Sequence, residues 1–527
     1  MSTGLSTGQV YAEFDALIRQ VEAWLRAKDP SIARFDPDQV RARIVQRIVH
    51  ITGSGYSGHV ARRAKLPPDR RAAASADLVR IAGLTIDPAT GRVSVSWRQW
   101  SANLFEFAAA WLDLLAGLTA ALFAPAPRTL QPATILLEAG GPIDRTDASL
   151  VEFCRSGPIA PLASATAIIV QTRTPPRRST SPAVTYSRRP FIQLVRQGLP
   201  RAGRWRALAS HLAAPIRCAW SLVTCPVTVL VSRDLAIAPL VRQLDRQGCI
   251  EAVVTTTSTF QGQPLWSKGQ RDRSFKLHML WYSQNFIPKM YKGDASRQSL
   301  PAARHIRIDV HWVWTPGFAE YLRETLGPVE THAVGPIVWY LKAPGQGLSR
   351  QRFTIAAFDV TPLPDGSSPF GAVRDYYSVS CITQFVSDIV AIGRAIERET
   401  GVPVVVRLKH KRLPKAGRHD SSYLAWLDQL AATSPHLELV DHRENLFRLV
   451  ADCDLSVSVP YTSTAYVGAA LARPAVYYDP TAEVVPQFEA SPYVSFASGR
   501  GELETLMRQH LRADGKIASA ASASASR

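Results

Sequence analysis

Apolar residues recur along this chain in two rhythms. Over the first 130 residues the rhythm is helical. Phe14, Leu17, Ile18, Val21, Trp24 and Leu25 make one stripe within residues 10–27, and residues 40–51 carry a shorter one. Residues 94–100 read as a strand edge. Residues 105–125 are the most apolar stretch, but Glu106 and Asp113 interrupt it. That leaves about ten clean apolar residues where a spanning helix needs ~20, so a buried or membrane-dipping helix is expected.

From residue 133 short β-branched runs alternate with amphipathic stretches. Strands are expected at 134–138, 167–170, 227–231, 252–256, 311–314 and 333–334, with helices at 237–246 and 316–326. Residues 342–349, Lys-Ala-Pro-Gly-Gln-Gly-Leu-Ser, break the pattern as a linker would. The alternation then restarts: a strand at 353–360, a helix at 380–399, strands at 404–409 and 437–440, and a short helix at 445–452. Residues 454–480 close the series as a buried strand, a hydroxyl-rich turn, a small-residue helix and a second strand ending in Asp479.

Regular βαβ alternation implies parallel sheets covered on both faces. The expected fold is α/β, with two Rossmann-like domains facing a cleft and a mainly helical N-terminal extension. The extension covers 1–130, the N-terminal domain 131–341, the linker 342–351 and the C-terminal domain 352–511. The Ala/Ser tail, 512–527, has the composition of a disordered segment.

Composition adds two constraints. The 527 residues carry a net charge of +18, and between Phe153 and Arg233 there are twelve Arg and no Asp or Glu. Trp205, Leu208, Leu212, Ile216 and Trp220 interleave with the Arg of 173–217 at near-helical spacing. Two readings stay open for this insertion: a solvated basic face over a core, or a helix lying on an anionic bilayer. Nucleic acid is not expected as a partner, because no nucleic-acid-binding motif accompanies the charge. The six cysteines are scattered without a CxxC, and the N-terminus lacks a signal-peptide pattern. Both point to a reducing cytoplasm, with the inner-membrane surface as the peripheral site if the basic insertion docks there.

Candidate chemistry gathers at the expected C-terminal ends of strands. Pro460-Tyr461-Thr462-Ser463-Thr464 offers three hydroxyls at a helix start, more than capping needs, and so reads as a phosphate contact. Arg407-Leu-Lys409-His410-Lys411-Arg412 leaves an apolar strand at the same edge, with Lys409 and Lys411 sharing one face. His410 is the histidine best placed to join them. Gly335-Pro336 before the linker is a turn that could admit a ligand at a hinge. Glu138 to Phe153 places Asp144, Asp147 and Glu152 after the first strand, as candidates for a general base.

The segments Pro460–Ala465 with Tyr477-Tyr478-Asp479-Pro480, Leu408–Arg412, Val334–Trp339, and Gly141-Pro142 with Ser149–Cys154 resemble the bacterial polysaccharide biosynthesis PFTS-motif proteins over about residues 133–498. Tyr461 stands where the family name has Phe. The resemblance implies a GT-B-like glycosyltransferase of capsule or O-antigen synthesis. By it, Thr462, Ser463 and Thr464 would bind the donor phosphate, with Lys409 and Lys411 nearby. Asp452-Cys453-Asp454 matches an Asp-x-Asp metal motif of other glycosyltransferases, but at the wrong end of a strand. No metal or other cofactor is therefore expected. The expected partners are a nucleotide sugar, in one reading CMP-linked, and a glycan or lipid-linked glycan acceptor. A CDP-glycerol-type transferase and a non-catalytic membrane scaffold are the alternatives.

Overall fold

The computed structural model describes residues 7–513 apart from 29, 31, 33–34, 65–76, 126–130, 138–158, 173–180, 257–262, 270–272, 282–289, 293–300, 336–346, 348–350, 363–377, 411–412, 415–418 and 488–490. The N-terminal extension comprises α1 (Thr7–Lys28), α2 (Pro37–Ala64), a small antiparallel sheet of β1 (Val79–Ile81), β2 (Leu84–Ile86) and β3 (Val93–Val95), and α3 (Trp97–Leu122). The sheet was not expected, and the second helical stripe extends to 28 residues. The expected strand edge at 94–100 ends at Val95, because the Ser96 side chain accepts from Gln99 N and caps α3. By length and composition alone α3 is apolar enough to cross a membrane, a test that the more deeply buried helix Val379–Thr400 passes as well. One face of it is nonetheless packed, through Phe107, Leu114 and Leu118.

The N-terminal domain holds β4 (Ala133–Leu136), β5 (Ile168–Gln171), β6 (Val184–Ser187), α4 (Pro190–Gly198), α5 (Arg201–Leu212), α6 (Ala214–Thr224), α7 (Ser232–Arg246), β7 (Ile250–Thr256), β8 (Lys276–Leu280), β9 (Met290–Tyr291), β10 (Val310–Val313), α8 (Pro316–Leu326) and β11 (Glu330–Ala333). Its seven-stranded sheet runs β11-β10-β8-β7-β4-β5-β6, parallel throughout. The run 227–231, expected as a strand, is a 3₁₀ turn, Pro226–Val231. A buried apolar run of this length does not declare its own period. Here Thr228 Oγ1 donates to Cys225 O at 2.7 Å, a local bond that favours a turn.

The C-terminal domain holds β12 (Phe353–Phe358), α9 (Val379–Thr400), β13 (Val404–Lys409), α10 (Ser421–Thr433), β14 (Leu437–Val440), α11 (Leu446–Ala451), β15 (Leu455–Ser458), α12 (Thr464–Ala470), β16 (Ala475–Asp479), β17 (Val484–Val485), β18 (Val494–Ser498) and α13 (Arg500–Ala513). Its six-stranded sheet is also parallel, in the order β14-β13-β12-β15-β16-β18. In chain order both sheets read 3-2-1-4-5-6, the N-terminal one with a seventh strand. This is the Rossmann order, with its reversal point between the first and fourth strands. Two Rossmann-like domains with a largely helical N-terminus are thus what the backbone forms.

The extension is tied to the N-terminal domain by buried charge. Arg43 of α2 pairs with Asp234 of α7 at 2.6 Å, both almost fully buried. Glu22 of α1 takes Arg304 at 3.0 Å and His305 at 2.9 Å, and Asp15 pairs with Arg304. Burial alone would raise the pKa of Glu22, but the bonds and charges of His305 and Arg304 outweigh it and bring it to about 2. A depressed carboxylate stabilises the fold above its unfolded value and loses that contribution as pH falls through the folded one. Glu22 is therefore expected to contribute about 1–2 kcal/mol after solvent screening, lost between about pH 4.5 and 2. Acid-unfolding curves of wild type and Glu22→Gln should converge across that window.

Candidate functional site

The reversal point of the C-terminal sheet lies between β12 and β15, and the crevice beyond the strand ends there is where such sheets take ligands. Asp359 follows β12 directly and is buried, its side chain 0 % exposed. His410 follows β13, whose last residue, Lys409, registers with Phe358. His410 Nδ1–H donates to Asp359 Oδ2 at 2.7 Å, and the Tyr423 hydroxyl of α10 donates to the same oxygen at 2.7 Å. Asp359 Oδ1 is buried without a partner. Burial works against the charged imidazole, but the hydrogen bond and charge of Asp359 prevail, so the His410 pKa is raised. Burial, with Asp359 beside it, pushes the Tyr423 phenol far up and keeps it a neutral donor. The result is an imidazole oriented by a buried carboxylate that favours its charged form, with Nε2 left as the other ring nitrogen.

On the other side of the reversal point, residues 459–464 carry β15 into α12. Thr462 Oγ1 donates to Val459 O at 2.7 Å and lies 3.2 Å from Thr464 Oγ1. Thr462 O accepts the Tyr477 hydroxyl at 2.8 Å. Ser463 precedes α12 without a side-chain capping bond. Tyr461 has φ +64, a left-handed conformation that costs a non-glycine residue about 1–2 kcal/mol and has to be held in place. Its ring packs on Tyr477, centroids 5.7 Å apart, and its hydroxyl donates to Val485 O at 3.3 Å and accepts from Gln487 N at 3.0 Å. Gly468 lets α12 settle on the sheet: a Cβ there would meet Ala475 Cβ at 3.0 Å and both Arg473 O and Ser456 Oγ at 3.2 Å.

β13 and β15 flank β12, so His410 and the 460–464 turn share one edge about two strand spacings, ~10 Å, apart. Lys409 turns away from that turn. Its ammonium donates to His442 O at 2.6 Å, beyond β14, and burial lowers its pKa against the pull of Asp441, Glu444 and Asp359. Gly335, at φ +80, leads the chain out after β11, the edge strand. Lys411, Pro336, Asp144, Asp147 and Glu152 lie outside the described residues. Asp454 Oδ2 accepts Thr354 N at 2.7 Å and Asp452 Oδ1 accepts Gly347 N at 3.1 Å, so both acids serve backbone amides at the far end of β15. His311 is buried in β10 and accepts the Trp281 indole at 2.9 Å; burial lowers its pKa to about 3. Asp479 accepts from Thr481 N and Oγ1 and from Val484 N, shaping the loop that follows β16.

Reading the residues alone missed Asp359 and Tyr423. Asp359 had a signal: it is the first acid after a strand whose one polar residue is Thr354. Tyr423 had none, since its relation to Asp359 spans 64 residues.

The two domains meet at these same strand ends. Trp314, directly after β10, packs edge-on against Tyr466 of α12 at 5.5 Å. β9 pairs with β17 across the domains, and Lys292 N donates to Glu483 O at 2.8 Å.

The model of the polysaccharide biosynthesis PFTS motif family matches residues 215–507. The chain belongs to that family. The matched span includes the His410 strand end, the 460–464 turn and the cross-domain ribbon, and leaves out residues 138–158. No curated protein matches. Solved structures that the chain resembles include the wall teichoic acid polymerase TagF with CDPG (11 % identity, TM-score 0.39, 80 % of this chain and 92 % of that one) and OtsA without ligand (9 %, 0.39, 74 % and 94 %). TarM, also solved from S. aureus, is a third (9 %, 0.31, 51 % and 50 %), and the chain spans about half of its length.

Two outcomes follow for this PFTS-motif site. Asp359→Asn removes the charge that raises the His410 pKa, so the imidazole pKa should fall, read by ring-proton NMR titration. The stability that this pair supplies is fully present below about pH 6.5 and is lost as pH rises through the raised folded value. Gly468→Val should destabilise the domain by about 1–3 kcal/mol in denaturant melts, through overpacking beneath α12.

Proposed function

We propose that this PFTS-motif protein is a glycosyltransferase that moves a sugar from a nucleotide-activated donor to a capsule or O-antigen glycan. The observation that carries this reading is the Asp359–His410 pair at the reversal point of a Rossmann-ordered sheet, facing the hydroxyl-rich turn across β12. Family membership supplies the pathway class.

In this reading the C-terminal domain holds the donor and the N-terminal domain the acceptor. The bond from the anomeric carbon to the donor phosphate oxygen breaks, and one to an acceptor hydroxyl oxygen forms. The acceptor proton passes to a carboxylate; Asp144, Asp147 and Glu152, which follow β4 in sequence, are the candidates. The electron pair leaves on phosphate oxygen. The His410 imidazolium and the Thr462, Ser463 and Thr464 hydroxyls offset that charge without calling on a metal. Lys409 acts less directly here, as a brace for the 441–444 turn.

A melting-temperature panel of CMP, CDP, UDP, GDP and dTDP tests the donor half. One nucleotide should stabilise the protein by about 1.5–3 kcal/mol at 10–100 times its Kd. His410→Ala and Ser463→Ala should remove most of that gain, and with an identified donor His410→Ala should cut turnover by about 10²–10³. Identifying the product separates sugar transfer from glycerol phosphate transfer. A panel without any shift at millimolar nucleotide, or shifts untouched in both variants, would sink this assignment of the site and favour a scaffold.

A further inference from the structure

Three helices of the N-terminal half each expose large apolar side chains that no described residue covers. On α3, Phe105 and Leu112 stand two turns apart and are 74 % and 56 % exposed. α5 packs against α3 and is joined to α6 through Ala213, and both carry further exposed apolar residues. Trp205 and Leu212 are seven residues apart on α5. Ile216, Trp220 and Val223 fall at i, i+4 and i+7 on α6, 74 %, 65 % and 79 % exposed. The opposite faces are firmly seated. Trp111 Nε1 donates to His211 O at 3.1 Å, and His211 Nε2 lies 2.9 Å from Trp111 O. Arg204, read from the sequence as part of a basic face, is instead buried, its guanidinium on the carbonyls of Leu199, Ala121, Ala124, Pro125 and Arg196. It closes the C-terminus of α3 onto α5.

Basic residues outnumber acidic ones around this face. Arg201 and Arg206 are exposed on α5 and Arg98 on α3, with Arg217 half-buried on α6. The acids of α3 are answered: Asp113 pairs with Arg189, and Glu106 lies 3.8 Å from Arg47. A patch of large apolar side chains set among cations needs a partner that takes both. A second copy docked symmetrically would set Arg against Arg. A bilayer with anionic headgroups accepts the Arg at its surface and the aliphatic side chains below, with Trp at the level between.

We propose that the face formed by α3, α5 and α6 docks on an anionic lipid bilayer, with Trp205 and Trp220 at headgroup depth and Arg201 and Arg206 on the lipid phosphates. This holds independently of the donor-site reading, since no residue is shared with it. The test is co-sedimentation of the full chain with vesicles of mixed phosphatidylglycerol and phosphatidylcholine, or of phosphatidylcholine alone. Wild type should partition at least tenfold better onto the anionic vesicles. The double variant Ile216→Glu with Trp220→Glu should lose at least tenfold of that binding with an unchanged melting curve. Arg201→Glu with Arg206→Glu should lose the preference for anionic lipid, and if the first pair unfolds the protein, this second pair decides. Absent binding by wild type, or equal binding by a folded variant, overturns the proposal. So does a wild-type dimer that the Ile216→Glu, Trp220→Glu variant dissolves in light scattering, which would assign the face to a second copy.

Discussion

Parallel strand pairing is the constraint on which the rest of this protein depends. A parallel neighbour cannot be reached by a tight turn, so each connection must cross the sheet, usually through a helix. Every strand of a domain then ends at one edge, and the sheet order must reverse once. In the C-terminal domain that reversal separates β12 from β15. It is why an acid after one strand, an imidazole after the next and a hydroxyl turn after a third come together although they lie near residues 359, 410 and 462. The N-terminal domain repeats the same order, which places the C-terminal end of β4 at its own reversal point.

Tyr461 connects this local geometry to the domain pair. Its left-handed backbone bends the chain out of β15, and its ring is fixed by Tyr477 and Phe496. Its hydroxyl reaches Val485 O, in the strand that pairs with Met290 and Tyr291 of the other domain. The turn and the domain contact are thus one packed unit. A phenylalanine at 461 could supply the ring but not the hydroxyl, so the Tyr here adds a polar tie between the turn and the ribbon.

How much was legible in the sequence followed the kind of interaction. Strands such as Val404–Lys409 and Leu437–Val440 and the helix Pro316–Leu326 were readable to the residue, because their periodicity and end signals are local. The 227–231 run misled because four buried apolar residues around Thr228 fit a strand or a helical turn alike, and only packing among α2, α3, α6 and α7 decides. The basic 173–217 segment was readable as composition but not as surface. Arg204 carries the same charge as Arg201 and Arg206, yet it is spent inside on five carbonyls.

The sequence by itself determined the α/β class, the doubled βαβ series, the helical beginning, the 460–464 turn and the family resemblance. All of these rest on periodicity and short motifs. Only the tertiary structure decided which of two adjacent basic residues lies against Asp359 at the reversal point. Lys409 and His410 are adjacent in the chain, but strand alternation sends one to the 441–444 turn and the other to Asp359. A strand's pleat puts neighbours on opposite faces, and what each face meets is set by strands and helices tens of residues away.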